Sequence, residues 1–244
     1  MKPPNVGKWG KHQHLVKDEF LQEHLPKTRV YSPEELWQYA EAFTHVMLKP
    51  SGGGGGAGII QVTARGEENY LVHSGSHRRL VTGKEATITY VESLFRPKTY
   101  LLQPRIPLGK INGKPFDVRV MIQRRNRKES WVITGWCAKL AGPGFVVTNV
   151  ARSRGKVLPV RTAIKLSDIE AGPHLLSEIR MVAAAAAHRL GRAYPTLREI
   201  GLDLGIDVDG KPWIIEANFR PSLSLFQKLE DQSFYKRIVS MRKR

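Results

Sequence analysis

The spacing of apolar and polar positions changes several times along this chain, and the changes lay out its elements. From about Trp9 to His24, Leu15, Phe20 and Leu21 fall roughly on one side at helical spacing, and Leu25-Pro26 closes the stretch, which predicts one helix. Tyr31-Ser32-Pro33-Glu34-Glu35-Leu36 is a helix start. Ser32 is the cap, Pro33 takes the first helical position, and Glu35 three residues after the cap completes a capping box; the helix runs to about Thr44. Short apolar runs between turn residues predict strands at 45–50, 59–62, 70–73 and 79–81, and 84–95 reads as a helix. These make a small antiparallel sheet flanked by helices.

A new region opens with Tyr100-Leu101-Leu102-Gln103-Pro104. Residues 116–123 alternate strongly, as do 130–136, and the polar turn between them predicts a hairpin. A strand follows at 145–149. Pro173 to about Arg192 is a helix, which the alanine run from Ala183 to Ala187 suits. A second hairpin joins Gly201-Leu202-Asp203-Leu204-Gly205-Ile206-Asp207 to a strand through Trp213-Ile214-Ile215-Glu216-Ala217-Asn218, with its turn at Asp209-Gly210. A basic helix from about Pro221 closes the chain.

Composition narrows the classes. A chain of 244 residues, 41% hydrophobic and 25% charged, buries a real core and is not a disordered one. The one cysteine, Cys137, excludes an intramolecular disulfide and a thiolate zinc site, so a cytoplasmic location is expected. The N-terminus lacks the apolar core of a signal peptide, and no run approaches the ~20 apolar residues of a membrane span. His12 and His14, and His73 and His77, lack the spacing of metal ligands, and there is no Gly-x-Ser-x-Gly elbow. The net charge of +17 fits either a polyanion surface or a protein handling anionic small substrates. The basic residues are dispersed, with short clusters at Arg124-Arg125-Asn126-Arg127-Lys128 and Arg242-Lys243-Arg244. No nucleic-acid-binding motif is present, so nucleic acid is not expected as a partner.

Two constellations carry chemistry. Ser51 and the five glycines Gly52, Gly53, Gly54, Gly55 and Gly56 follow Lys49-Pro50 and lie between two strands. So many glycines cost backbone entropy, and a loop that lays main-chain N–H groups against an anion gives a reason for them. No Gly-Lys-Ser/Thr follows, so this is not a P-loop. The plainer reading is a flexible hairpin; Lys49, aimed from a strand end, favours the phosphate reading. The second constellation is Asp203, Glu216 and Asn218. Alternation points Glu216 and Asn218 the same way, and the hairpin brings Asp203 beside them. Three hard oxygen donors on strands suit magnesium and leave room for phosphate oxygens. Glu216 ends an apolar strand and needs a partner, either a metal or an Arg or Lys from a neighbouring strand. Asp117 and Arg119 share a strand face, as a structural ion pair or with Arg119 on phosphate oxygens. Lys139 and Asn149, on adjacent predicted strands, are placed toward the same cleft.

In order, these features resemble the ATP-grasp superfamily. Leu102-Gln103-Pro104-Arg105-Ile106, Phe116-Asp117-Val118-Arg119-Val120 and Glu216-Ala217-Asn218-Phe219-Arg220-Pro221 are similar to its YheC/YheD branch of endospore coat-associated proteins. The resemblance implies an α+β ATP-grasp fold, with ATP between two subdomains built on antiparallel sheets. Residues 31–99 would be the small subdomain with the glycine loop, 100–244 the large one with the magnesium site, and 1–30 a segment left from a preceding domain. It further implies that Lys8 and Lys49 touch the nucleotide, that Ser51 and the glycines fold over its phosphates, and that Gln103, Pro104, Arg105 and Ile106 form a hinge meeting adenine. Asp203, Glu216 and Asn218 would hold magnesium, Asp117 would help hold the nucleotide, and Arg119, Lys139 and Asn149 would act on phosphates or the acyl group. The implied activity is an ATP-dependent ligase joining a carboxylate to an amine or similar nucleophile through an acyl phosphate. The basic charge points to an acidic peptide or cell-envelope component among its substrates, and the resemblance implies a spore-associated protein. The rival readings are a non-catalytic polyanion-binding protein on the same scaffold and an ATP-grasp kinase.

Overall fold

A computed structural model of the chain describes residues 6–142 and 155–243. The chain divides into two compact units, a larger one that includes residues 6–25, 106–142 and 155–243 and a smaller one that includes 26–105.

The larger unit opens with α1 (Lys8–Leu15) and α2 (Glu19–Gln22). The single helix expected over 9–24 is therefore two. Asp18 takes an extended backbone and its carboxylate accepts the Leu21 amide at 3.1 Å, which caps a new helix instead of continuing the old one.

The smaller unit runs β1 (Arg29–Val30), α3 (Pro33–Ala42), β2 (His45–Pro50), β3 (Ile60–Ala64), β4 (Asn69–Ser74), β5 (His77–Thr82), α4 (Lys84–Ser93) and β6 (Tyr100–Pro104). Its strands form one antiparallel sheet in the order β1-β6-β2-β3-β4-β5. Ser32 caps α3 by accepting the Glu35 amide at 3.2 Å, and the helix stops at Ala42, short of Thr44. Alternation sends Val46, Leu48, Ile60 and Val62 into a core with Leu36 of α3 and Val91 of α4. The same alternation turns Met47 and Lys49 to the other face. Tyr100–Pro104 does not open the next region: it pairs with β2, with Gln103 opposite Met47 and Leu101 opposite Lys49, and so completes this sheet.

The larger unit continues with β7 (Lys110–Ile111), β8 (Lys114–Gln123), β9 (Val132–Leu140), β10 (Lys156–Leu158), α5 (Val160–Leu166), α6 (Leu175–Ala193), β11 (Glu199–Ile206), β12 (Pro212–Asn218), α7 (Ser224–Gln227) and α8 (Ser233–Arg242). Its antiparallel sheet has the order β10-β9-β8-β11-β12, and β7 pairs with β8. The period-two pattern of β8 sets the two faces. Phe116, Val118, Val120 and Ile122 enter the main core with Ile179, Val182, Ala186 and Leu190 of α6. Asp117, Arg119 and Met121 lie on the opposite face. At one end of that face Met121 and Cys137 pack with Phe226, Leu229 and Ile238 in a smaller core. Gly135 makes this seating close, because a Cβ there would stand 3.0 Å from Phe234 and 3.1 Å from Ile238.

The basic helix expected from Pro221 is also two, α7 and α8. Asp231 accepts the Ser233 amide at 2.8 Å and the Ser233 hydroxyl at 2.9 Å, and so restarts the helix there. The strand expected at 145–149, with Asn149, lies outside the described residues.

Candidate functional site

Strands β8, β9 and β11 place four charged side chains together on the polar end of the larger sheet. Cα register sets Asp203 opposite Arg119 and Asp117 opposite Lys139, so all four charges share one neighbourhood. Arg119 donates from Nε to Asp203 Oδ1 at 2.6 Å and from Nη2 to Oδ2 at 2.8 Å, a two-pronged grip. Lys139 Nζ bridges Asp203 Oδ1 at 2.8 Å and Asp117 Oδ1 at 2.9 Å. All four residues are buried. The pair that the β8 pattern suggested between Asp117 and Arg119 is thus replaced by cross-strand pairs, each aspartate meeting a cation from the next strand.

The ion pairs set the protonation states. Burial disfavours the Asp203 carboxylate, but the charges and hydrogen bonds of Arg119 and Lys139 outweigh it and hold the carboxyl well below the usual range. Burial likewise opposes the charged forms of Arg119 and Lys139. The aspartates overcome it, so both stay protonated more firmly than in water. Cys137, opposite Arg119 on β9, is instead pushed up to about 12, chiefly by burial.

The hairpin of β11 and β12 brings the other acidic position in. Asp203 stands opposite Glu216, and Gly201 opposite Asn218. The register then shifts, with Leu204 opposite Ile214, so Ile215 is an extra residue on β12. A bulge of this kind re-aims the side chains beside it. Asn218 Nδ2 lies 3.3 Å from Asp203 Oδ2. Glu216 meets Lys8, the first residue of α1, at 3.3 Å, so a helix cation joins the partners that the sequence left open, a metal or an Arg or Lys from a neighbouring strand.

One further residue belongs to this group. Lys11, one helical turn after Lys8, donates to the Ala217 carbonyl and stands over the Phe219 ring, 5.0 Å from its centroid. Burial pushes its ammonium below the ordinary lysine value, with Glu216 opposing and Lys8 adding to the shift. The sequence carried a signal for it, the i and i+3 spacing from Lys8 on one helix face. Asp207, by contrast, is structural. Its carboxylate accepts the Lys211 amide at 2.8 Å and the Trp213 indole N–H at 2.7 Å, which fixes the turn.

Magnesium fits this donor set on chemical grounds. Asp203, Glu216 and Asn218 offer two carboxylates and an amide oxygen from two adjacent strands, with no sulfur or imidazole among them. Among the described residues no group of three or more His, Cys, Asp and Glu side chains is placed to hold a metal.

On the smaller unit, Lys49 ends β2 and the glycine loop follows it. Gly53, Gly55, Gly56 and Gly58 have φ of +91°, +67°, +70° and +76°, a region that residues with a Cβ rarely enter. Ser51 anchors the loop through its amide, which donates to Thr99 O at 2.8 Å. In the segment expected to meet adenine, the Gln103 amide donates to Thr28 Oγ1 at 2.9 Å, while its buried Oε1 accepts from no described group. The Arg105 N–H goes to His45 O and Pro104 has no N–H, so neither of these backbone groups donates to a base. The chain passes from the smaller to the larger unit between Arg105 and Ile106.

This architecture is the α+β ATP-grasp fold. Residues 1–242 match the family model of YheC/D-like ATP-grasp proteins, and the chain belongs to that family. It is similar to the endospore coat-associated protein YheD of Bacillus subtilis (strain 168), 29% identical over 226 residues. The match covers 90% of this chain and 49% of YheD, so the chain spans about half the length of that relative. Among solved structures, the ADP complex of purK, an N5-carboxyaminoimidazole ribonucleotide synthetase, has a TM-score of 0.58 at 14% identity, covering 96% of this chain and 51% of that one. The ATP-grasp ligase PsnB, in complex with a minimal precursor, Mg and ADP, has a TM-score of 0.51 at 17% identity, covering 96% and 58%. No helix among the described residues is long and apolar enough to cross a membrane.

Proposed function

We propose that this chain is an ATP-dependent ligase that activates a carboxylate as an acyl phosphate and passes the acyl group to an amine or similar nucleophile. The observation that carries the reading is the meeting of Asp203, Glu216 and Asn218 on paired strands, with Arg119 and Lys139 on the same carboxylate. Magnesium bound there would neutralise phosphate charge and orient the γ-phosphoryl group. Arg119, its fork held by Asp203, would contribute its positive charge beside the phosphates, and Lys139 and Lys49 would add point charges as negative charge develops. The glycine loop, with Ser51 at its root, would exclude water that hydrolyses an acyl phosphate. Asp117 positions Lys139. Lys8 holds Glu216 and would also reach the nucleotide, and Gln103 with the backbone of Pro104, Arg105 and Ile106 would border the base. Asn149 is proposed on the resemblance alone. The protein's work is positioning and charge neutralisation, and no side chain need become covalently bonded.

The charge and the relatives support a substrate class. A net charge of +17 favours an acidic acyl donor or acceptor, and PsnB is a ligase seen with a peptide precursor. An acidic peptide or cell-envelope component, handled in the cytoplasm during spore formation, is the proposed substrate; the name borne by YheD supports the setting. A second reading, nucleotide binding without turnover, draws on the ion pairs that already engage Asp203. A magnesium-dependent ATP turnover screen across amino acids, acidic peptides and muropeptides, with mass spectrometry of products, separates them. A condensed product with ADP supports the ligase. A phosphorylated product without condensation selects a kinase, and binding without turnover selects the second reading.

A further inference from the structure

The inference rests on the assignment of Asp203, Glu216 and Asn218 as the cation-binding set and deepens it. Both carboxylates of that set hold cations of the chain's own. Glu216 has Lys8 at 3.3 Å, and Asp203 has Arg119 on both oxygens and Lys139 on Oδ1. The two cations on Asp203 are not equivalent. Arg119 is gripped at two points and lies against Gly201, where a Cβ would come within 3.2 Å of its Nη1. Lys139 makes single contacts to two aspartates through a flexible stem, so its ammonium can move without breaking a planar fork.

Charge balance then decides what enters. Asp117 and Asp203 are matched by Arg119 and Lys139 in a buried neighbourhood. A bare divalent ion arriving at Asp203 Oδ1 meets an ammonium already 2.8 Å from that oxygen, in a site where charges are weakly screened. A divalent ion that arrives with a polyphosphate brings its own anions, onto which the ammonium can transfer. We propose that Lys139 is a place-holder for the divalent cation, occupying Asp203 until a metal–polyphosphate complex displaces it, so that the site admits the complex in preference to the free ion. Lys139 is in this sense a specificity-determining residue.

The test uses the full chain and free Mn2+ as probe, by calorimetry and by the loss of its free-ion electron paramagnetic resonance signal. Lys139→Met removes the competing charge and is expected to bind Mn2+ without nucleotide about tenfold or more tighter than the unsubstituted chain. Lys139→Gln, which keeps a hydrogen-bonding head, is expected to do the same, and near-ultraviolet circular dichroism identifies which variant retains the fold. ADP should then raise Mn2+ affinity less in the variant than in the unsubstituted chain, because the displacement step is gone. Unchanged Mn2+ affinity in a folded variant overturns the place-holder role. Asn218→Ala in the Lys139→Met background is expected to remove the gain. A gain that survives it puts the ion elsewhere and overturns the assignment of the metal set as well.

Discussion

Arg119 on β8 holds Asp203 on β11 by two hydrogen bonds, 2.6 Å and 2.8 Å long, across directly paired strands. Removing one partner of a buried pair leaves a charge that the fold must shelter alone. Lys139 remains on Asp203 in Arg119→Met, so the expected loss of stability is about 2–4 kcal/mol at neutral pH, read by urea unfolding. The sign with pH is fixed. Asp203's carboxyl is lowered by folding, so its contribution is present above about pH 4 and fades as pH falls through the folded value. The deficit of the variant should therefore shrink in acid. A deficit that grows below pH 4 contradicts the pairing.

Gly201 is expected to be intolerant for a packing reason. A Cβ there would stand 2.6 Å from Pro221 Cβ and 3.2 Å from Arg119 Nη1. Gly201→Val should cost about 1–3 kcal/mol and displace Arg119. Gly172→Ala, where nothing lies within 4 Å, is the control and should leave stability unchanged. Thermal melts of the two variants check the contrast.

Much of the fold was legible because strand alternation and cap chemistry are local. The β8 pattern alone separated Val118 and Val120 from Asp117 and Arg119, and Ser32-Pro33 fixed the start of α3. The helix breaks at Asp18 and Asp231 were missed because each turns on one carboxylate taking a nearby amide, a choice that periodicity does not register. β1, β7 and β10 are two or three residues long and exist only through their pairing partners. In the site, the residue types and the hairpin were readable. The cross-strand pairing of Lys139 with both aspartates was not, since it depends on β9 register.

Cys137 should be inert in the folded chain. Burial pushes its thiol up to about 12, so the reactive thiolate is scarce at pH 8. Iodoacetamide labelling followed by mass spectrometry should leave it unmodified in buffer and modify it in urea. The same shift makes the fold favour the neutral thiol. Its contribution is intact below the unfolded value near 9 and is lost as pH rises toward 12.

Lys49 ends β2 just before the glycine loop and is proposed to meet the nucleotide. Lys49→Ala is expected to weaken ADP binding about tenfold or more by calorimetry, with the melting temperature little changed. An unchanged dissociation constant counts against that role.

The proposed magnesium set is tested most directly by Glu216→Ala. Glu216 sits at the hairpin register position opposite Asp203, and its ion pair with Lys8 is largely covered, each side chain 17% exposed, so Glu216→Gln, which keeps the shape and a hydrogen-bonding head, is measured beside Glu216→Ala. The measurement is magnesium-dependent ATP turnover of the full chain beside its circular dichroism and melting temperature. Turnover abolished in a variant that melts like the unsubstituted protein is the predicted result; turnover retained at the unsubstituted rate would contradict the account.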